Sequence, residues 1–296
     1  MSITATGPNG PRPRRLSPGR IGLYVFLITA ALFFLLPLYV MLVTSIKPMD
    51  EIRGGGIFNL PAAPTLAPWF KAWFEACTGR HCEGIAPGFF NSVRIVVPSV
   101  LLSIGLGAIN GYALSYWRPR GSNILFGILM LGAFIPYQVF IYPLVQAFTR
   151  VGLYPSLYAV VIIHTAFGMP VMTLLFRNFY AALPEELFKA ARVDGAGFWT
   201  IFLWVMLPMS TPIVIVALIL QATGIWNDFI MGLVFAPREL APMTVRLNTI
   251  VATTQGEREY NVNMAATILT ALVPLAIYFI SGKWFVRGIA AGAVKG

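Results

Sequence analysis

The sequence predicts an all-α integral membrane protein of six transmembrane helices with both termini on the cytoplasmic side. Three observations predict it. Of 296 residues, 57% are hydrophobic and only 11% charged, whereas a soluble domain carries about 25% charged residues. So few charges could hardly cover a water-facing surface, and the mean hydropathy of +0.75 agrees. Next, six apolar stretches reach the roughly 20 residues that a bilayer core of about 30 Å requires. Finally, the basic residues are distributed very unequally between the segments that join those stretches.

The chain opens with a Pro/Gly-rich, basic segment, 1–20, holding Arg12, Arg14, Arg15 and Arg20. It is expected to be a disordered cytoplasmic tail. The apolar stretches then run Ile21–Val43, Ser92–Leu114, Ile124–Ala147, Leu157–Phe176, Pro212–Val234 and Met264–Phe285. A basic start before an apolar run also describes a secretory signal. Here the run is too long, contains Pro37 and lacks a small-residue cleavage site after it, so an uncleaved first span is expected. The third stretch is interrupted by Pro136, Gln138 and Pro143. Proline is tolerated inside membrane helices where neighbours or water satisfy the freed carbonyls, and Pro98, Pro170 and Pro274 are read the same way.

Orientation follows from Lys and Arg, which are retained on the cytoplasmic side. With the N-terminus inside, the cytoplasmic segments hold 12 of the 21 basic residues but only Glu185, Glu186 and Asp194 among the acids. The external segments are nearly balanced. Three long polar segments then remain: external loops at 44–91 and 237–263, and a cytoplasmic loop at 177–209. Loops of this length are usually functional.

The same composition excludes several functions. A net charge of +10 would suggest nucleic acid in a soluble protein; here membrane orientation accounts for it, and no nucleic-acid partner is expected. Two cysteines and two histidines cannot build a conventional zinc or haem site. Gly282-Lys283 lacks the upstream glycine and following hydroxyl of a phosphate-binding loop. Any ATP used must therefore bind another chain, and no cofactor is expected on this one. The spans offer no paired acids or nucleophile–base pair, so an intramembrane enzyme is disfavoured.

The cytoplasmic loop carries the most specific pattern. Leu183-Pro184-Glu185-Glu186 reads as a helix start, with proline in the first turn and acids at the positive end of the helix dipole. Phe188, Ala190, Ala191 and Val193 supply apolar positions, and Asp194-Gly195 ends the helix. A second short segment, Phe198–Leu207, stops at Pro208. Such a helix could lie on the membrane surface, but that role calls for a basic polar face, which Glu185, Glu186 and Asp194 spoil. Docking into a groove on a cytosolic partner fits the small, charge-flanked patch better.

Lys189-Ala190-Ala191, three residues, Gly195, nine residues, then Val205-Met206-Leu207-Pro208 resembles the EAA loop of bacterial ABC importer permeases. Spacing is kept throughout; Lys189 stands where the family has Glu, and Val205 where it has Ile. Phe89-Phe90-Asn91-Ser92, Trp226-Asn227-Asp228 and the ending Phe285-Val286-Arg287-Gly288 and Ala291–Gly296 resemble the carbohydrate subfamily, in particular permeases similar to the smaller one of the maltose system. The resemblance covers about 21–296, which it makes one permease domain.

That resemblance implies a non-catalytic subunit of the inner membrane, working with a second, homologous permease, two copies of a cytosolic ATPase, an external sugar-binding protein and a sugar. Glu185, Glu186, Lys189, Ala190, Ala191, Asp194 and Gly195 would form the ATPase-coupling helix. The charge reversal at Lys189 puts any family ion pair there in question, with Glu185 or Glu186 supplying acidity one turn earlier. Thr253, Thr254, Gln255, Gly256 and Glu257 would form the loop tip that reaches the binding protein. Polar residues within spans generally face a bundle interior or a cavity, and Gln138, Gln221, Trp226, Asn227 and Asp228 are the expected substrate path. Asn110, among Gly105, Gly107 and Gly111, and His164 read instead as packing residues.

Cys77 and Cys82 lie in the first external loop. An oxidising compartment permits a disulfide between them; two free thiols are the alternative. The Cys77–Asn91 insertion resembles that of glucose or mannose permeases, which makes a monosaccharide the first substrate expectation. An oligosaccharide, glycerol phosphate or polyamine permease is the alternative within the family. A secondary transporter would need its own coupling-ion site near the midplane, for which Asp228 alone qualifies.

Overall fold

A computed structural model describes residues 18–78, 81–252 and 258–293, with the side chains of the last helix described through Gly282. Of the proposed tail at 1–20, residues 1–17 lie outside the described residues, as do the loop tip Thr253–Glu257 and the side chains of Phe285–Gly288, while Pro18, Gly19 and Arg20 begin the first helix. No strand occurs among the described residues.

The first helix, α1 (Pro18–Ser45), has no charged residue beyond its first turn and buries only its last residues, including Val43 and Ser45. Phe26, Phe33 and Phe34 point outward, the placement that hydrocarbon rather than water permits. Two short helices, α2 (Met49–Gly54) and α3 (Ala67–Phe74), occupy the segment that follows. Trp69 Nε1 donates to Ser45 Oγ at 3.2 Å, fastening α3 to the end of α1.

The helix α4 (Ala86–Tyr112) begins before the expected Ser92, because Pro87 suits the first turn and lengthens the helix at its N-terminal end. It continues as a single wide π turn over Ala113–Trp117, closed by Arg118 at φ 41°. After α5 (Ser122–Phe134), Ile135 is extended and Pro136 has no N–H to donate, so the third stretch does not run straight. A 3-10 turn at Tyr137–Phe140 and α6 (Ile141–Arg150) leave at 92° to α5.

The helix α7 (Leu157–Ala181) is capped by Ser156, whose Oγ accepts from Ala159 N at 3.1 Å. The pair α4–α7 forms the most extensive helix contact. Gly107 and Gly111, one turn apart on α4, permit it. A Cβ at Gly111 would lie 2.7 Å from both Arg177 N and Phe176 Cβ, and one at Gly107 would run into Met172. Close backbone approach at a Gly-x-x-x-Gly pair is a common membrane packing device.

The segment 177–209 folds as α8 (Glu185–Val193), α9 (Phe198–Ile201), a π turn at Phe202–Met206 and α10 (Leu207–Met209). The next helix, α11 (Thr211–Trp226), leaves this arm at 77°. Pro212 has no N–H for the Pro208 carbonyl, and Thr211 Oγ1 donates to that carbonyl instead, at 3.0 Å. The expected fifth stretch breaks again at Asn227–Phe229 before α12 (Ile230–Phe235). Then α13 (Met243–Ala252) lies within the expected external loop, and α14 (Tyr260–Ala293) closes the chain.

Among the described residues, four helical stretches are individually long and apolar enough to span: 18–45, 86–117, 157–181 and 260–282. The count reaches six if each of the two bent pairs makes one crossing. The interruption expected at Pro136 thus bends the third stretch, while Asn227-Asp228 break the fifth, which its apolar run length alone presents as continuous.

The core divides along the long axis of the bundle. At the end bearing α3 and α13, Ile85, Trp226, Met243 and Val262 pack together. In the middle lie Ile95, Val160, Ile163, Met231 and Phe235. At the end bearing α8, Tyr112, Phe176, Tyr180, Phe202 and Met206 form an aromatic-rich cluster.

Candidate functional site

Three regions hold the residues singled out above. The first is α8. Pro184 (φ −59°, ψ 127°) precedes it, and Glu185 and Glu186 occupy its first turn. Its C-terminus is a Schellman turn: Gly195 N donates to Arg192 O at 3.1 Å and Ala196 N to Ala191 O at 3.0 Å. Gly195 has φ +81°, a left-handed conformation in which glycine avoids the Cβ clash. The helix is two-faced. Phe188 and Ala191 turn toward the bundle, while Glu186, Leu187, Ala190 and Val193 are exposed, Val193 at 87%. Lys189 Nζ lies 3.4 Å from Glu185 Oε2 across one helical turn, both well exposed. The residue that departs from the EAA pattern therefore has an acidic neighbour on its own helix, in a pair worth only a few tenths of a kcal/mol.

The second region is a cavity of about 530 Å³ between the middle of α7 and the α11–α12 break. Tyr137, Phe167 and Phe229 supply rings, and His164, Asn227 and Asp228 supply polar groups. His164 Nε2 is 3.7 Å from Asp228 Oδ2. Asp228 also holds the break in shape: its Oδ2 accepts from Gly232 N at 3.0 Å, and its carbonyl accepts from Thr244 Oγ1 at 2.6 Å. Two residues expected along a substrate path, Asn227 and Asp228, thus line this cavity.

The other three sit elsewhere. Gln221 Nε2 donates to the His164 carbonyl at 3.4 Å and packs over Gly168, whose missing side chain makes room for it. Trp226 is 2% exposed, donates from Nε1 to Thr270 O at 3.0 Å and stacks edge-on against Phe89. Gln138 is exposed on the 3-10 turn, beside the lining residue Tyr137. Conversely, His164, which the sequence alone presents as a packing residue, faces Asp228. No local signal links them, since they are 64 positions apart and the packing of α7 against α11 and α12 brings them together.

The third region lies at the end bearing α3 and α13. Cys77 and Cys82 are joined by a disulfide that closes a small hairpin. Arg246, on α13, lies under this hairpin and is 6% exposed. Its Nη1 donates to Thr78 Oγ1 at 3.3 Å and Gly84 O at 3.4 Å and lies 3.7 Å from Glu83, while Nη2 donates to Glu239 O at 3.1 Å. Burial lowers the guanidinium pKa and Glu83 opposes that shift. These groups line an open hollow of about 690 Å³. Lys71 and Glu259 form an ion pair at 2.7 Å, and Glu259 follows the Thr253–Glu257 segment closely in sequence. Among the described residues, no group of three His, Cys, Asp or Glu side chains is arranged to hold a metal.

Residues 100–291 match the family described as binding-protein-dependent transport system inner membrane component. A probable ABC transporter permease protein of Pyrococcus horikoshii is 35% identical over 96% of this chain and 100% of its own length. The alpha-glucoside transport system permease protein AglG of Rhizobium meliloti is 34% identical over 86% of this chain and 67% of its own. The glucose import system permease protein GlcU of Saccharolobus solfataricus is 30% identical over 92% and 95%. In fold, the chain is similar to one chain of a bacterial ABC transporter involved in import of the acidic polysaccharide alginate, with TM-score 0.75, 21% identity and coverage of 93% and 100%.

Proposed function

The chain belongs to the family of binding-protein-dependent transport system inner membrane components, and on that premise we propose that it forms half of the translocation pathway of an ATP-driven sugar importer. It is an ABC transporter permease, a non-catalytic membrane subunit. The proposed partners are a second permease, two cytosolic ATPase copies and an external sugar-binding protein, in the inner membrane of a bacterium.

The observation that carries the sugar reading is the cavity in which Asn227, Asp228 and His164 meet the rings of Tyr137, Phe167 and Phe229. Hydroxyl-rich rings are held by polar groups that fix orientation, set among apolar and aromatic walls. Among the described residues, no Lys or Arg lines this cavity, which favours a neutral sugar over glycerol phosphate; the first candidate is a monosaccharide such as glucose or mannose. At the other end, the exposed face of α8 supports docking on an ATPase. Closure of the ATPases would then shift the bundle between two states, the bias coming from nucleotide. Thr253–Glu257 is the proposed contact with the binding protein, displacing sugar toward the membrane.

The test is ATP-dependent uptake by the reconstituted complex, using labelled glucose, mannose, xylose, an α-glucoside and glycerol phosphate. The reading expects saturable uptake of a neutral sugar. Uptake of glycerol phosphate alone would overturn it.

A further inference from the structure

Aromatic side chains crowd the inner face of α8 beyond what a short amphipathic helix needs for burial. The Phe188 ring is stacked on Tyr116, with centroids 4.8 Å apart and planes at 22°. Trp117 meets it edge-on at 5.9 Å and Tyr112 at 6.4 Å. One turn later on α8, the Arg192 guanidinium lies 4.5 Å from the centre of the Trp117 ring. All three socket residues come from one place, the last turn of α4 and the π turn that continues it.

The socket is itself held rigidly. Trp117 Nε1 donates to Tyr112 Oη at 2.7 Å, and Tyr112 Oη donates to Phe198 O at 3.4 Å. Tyr116 Oη donates to Tyr180 O at 2.9 Å, and Ser115 Oγ to Arg177 O at 3.2 Å. The polar tips of the socket are therefore committed to the end of α7 and to α9. The π turn widens the backbone here; such turns recur at functional sites. Below it, α4 is locked onto α7 at Gly107 and Gly111. An isolated nine-residue helix is marginal in water, so the orientation of α8 depends on what its inner face grips.

We propose that Phe188 is a positioning residue for coupling: seated in the Tyr112–Tyr116–Trp117 socket, it makes α8 move as one body with the α4–α7 pair. This rests on the reading of the chain as an ATPase-driven permease. A force applied to the exposed face of α8 then enters two membrane helices directly, rather than through the short Ala182–Pro184 link. Physical contiguity permits such transmission, and only a coupling measurement demonstrates it.

The experiment compares sugar transported per ATP hydrolysed in the reconstituted complex for wild type, Phe188→Leu, Phe188→Ala and Phe188→Tyr, after co-purification has measured ATPase attachment. The Leu and Ala variants are expected to keep the ATPase bound but lose about fivefold or more in the transport-to-hydrolysis ratio. Phe188→Tyr, which keeps the ring, is expected to restore it. A wild-type ratio in Phe188→Leu would overturn the proposal. Loss of ATPase attachment in both Leu and Tyr variants would overturn it too, since Phe188 would then serve folding or docking alone. Absence of ATP-driven uptake in the wild-type complex would instead defeat the permease reading, and this inference with it.

Discussion

His164 Nε2 and Asp228 Oδ2 stand 3.7 Å apart across the junction of α7 with the α11–α12 break. That relationship gives Asp228 two roles which mutation can separate. Its carboxylate accepts from Gly232 N, holding the start of α12, and it also presents charge to a cavity with aromatic walls.

An amide keeps an acceptor for Gly232 but removes the charge. Asp228→Asn is therefore expected to leave complex assembly at wild-type level and lower sugar uptake about tenfold, a change of about 1.4 kcal/mol. Asp228→Ala also removes the acceptor, a loss of about 1 kcal/mol in comparable helix-start contacts, and is expected to lower uptake more than it lowers assembly. Uptake assays at equal expression check both. Unchanged uptake in Asp228→Asn would remove Asp228 from the path.

Gly195 offers a sharper test of the α8 arm. Proline fixes φ near −65° and has no N–H, whereas Gly195 has φ +81° and donates to Arg192 O. Gly195→Pro is expected to insert normally and abolish sugar-stimulated ATP hydrolysis in the assembled complex. Normal stimulated hydrolysis would show that the turn does not set the docking geometry.

Side-chain volume on α4 should be costly at a glycine that abuts α7 and harmless at one that does not. Gly111→Val drives its Cβ against Arg177 N and Phe176, and overpacking of this kind costs about 1–3 kcal/mol. A Cβ at Gly105 meets nothing within 4 Å, so Gly105→Ala should be neutral. Thermal denaturation in detergent, read for both variants, distinguishes a specific close contact from a general intolerance of side chains in α4.

At the opposite end, Arg246→Met keeps the aliphatic stem but removes the donors that hold Thr78, Gly84 and Glu239. Loss of such partly buried hydrogen bonds costs about 1–3 kcal/mol. Hydrogen exchange at 78–84 is expected to accelerate while exchange in α8 stays unchanged. Unaltered exchange in the hairpin would mean that Arg246 does not fasten it.

The legible parts of this fold are those written in local pattern. Acids after Pro184 and the Asp194-Gly195 pair mark both ends of α8, and that helix appears with those ends. The apolar stretches mark α1, α4, α7 and α14, although α4 extends back to Ala86 and α14 begins at Tyr260. What escapes local reading depends on partners far away in sequence. The run to Val234 looks continuous because Ile230–Phe235 is apolar, yet Asn227-Asp228 interrupts it. The partners of Gln221 and Trp226 are likewise invisible locally: α7 and α14 supply the carbonyls that take their N–H groups. Asn110 lies among glycines, of which Gly107 and Gly111 make the close approach. The spacing of those two, Gly-x-x-x-Gly, is the local signal of that contact.

The most direct test of the central claim is purification of the tagged protein from its native membrane in mild detergent, with identification of everything bound, followed by sugar uptake in proteoliposomes with and without ATP. The permease account predicts a complex with a second permease and an ABC ATPase, and uptake that requires ATP. A homodimer or monomer that transports sugar without ATP would contradict it and establish a secondary transporter instead.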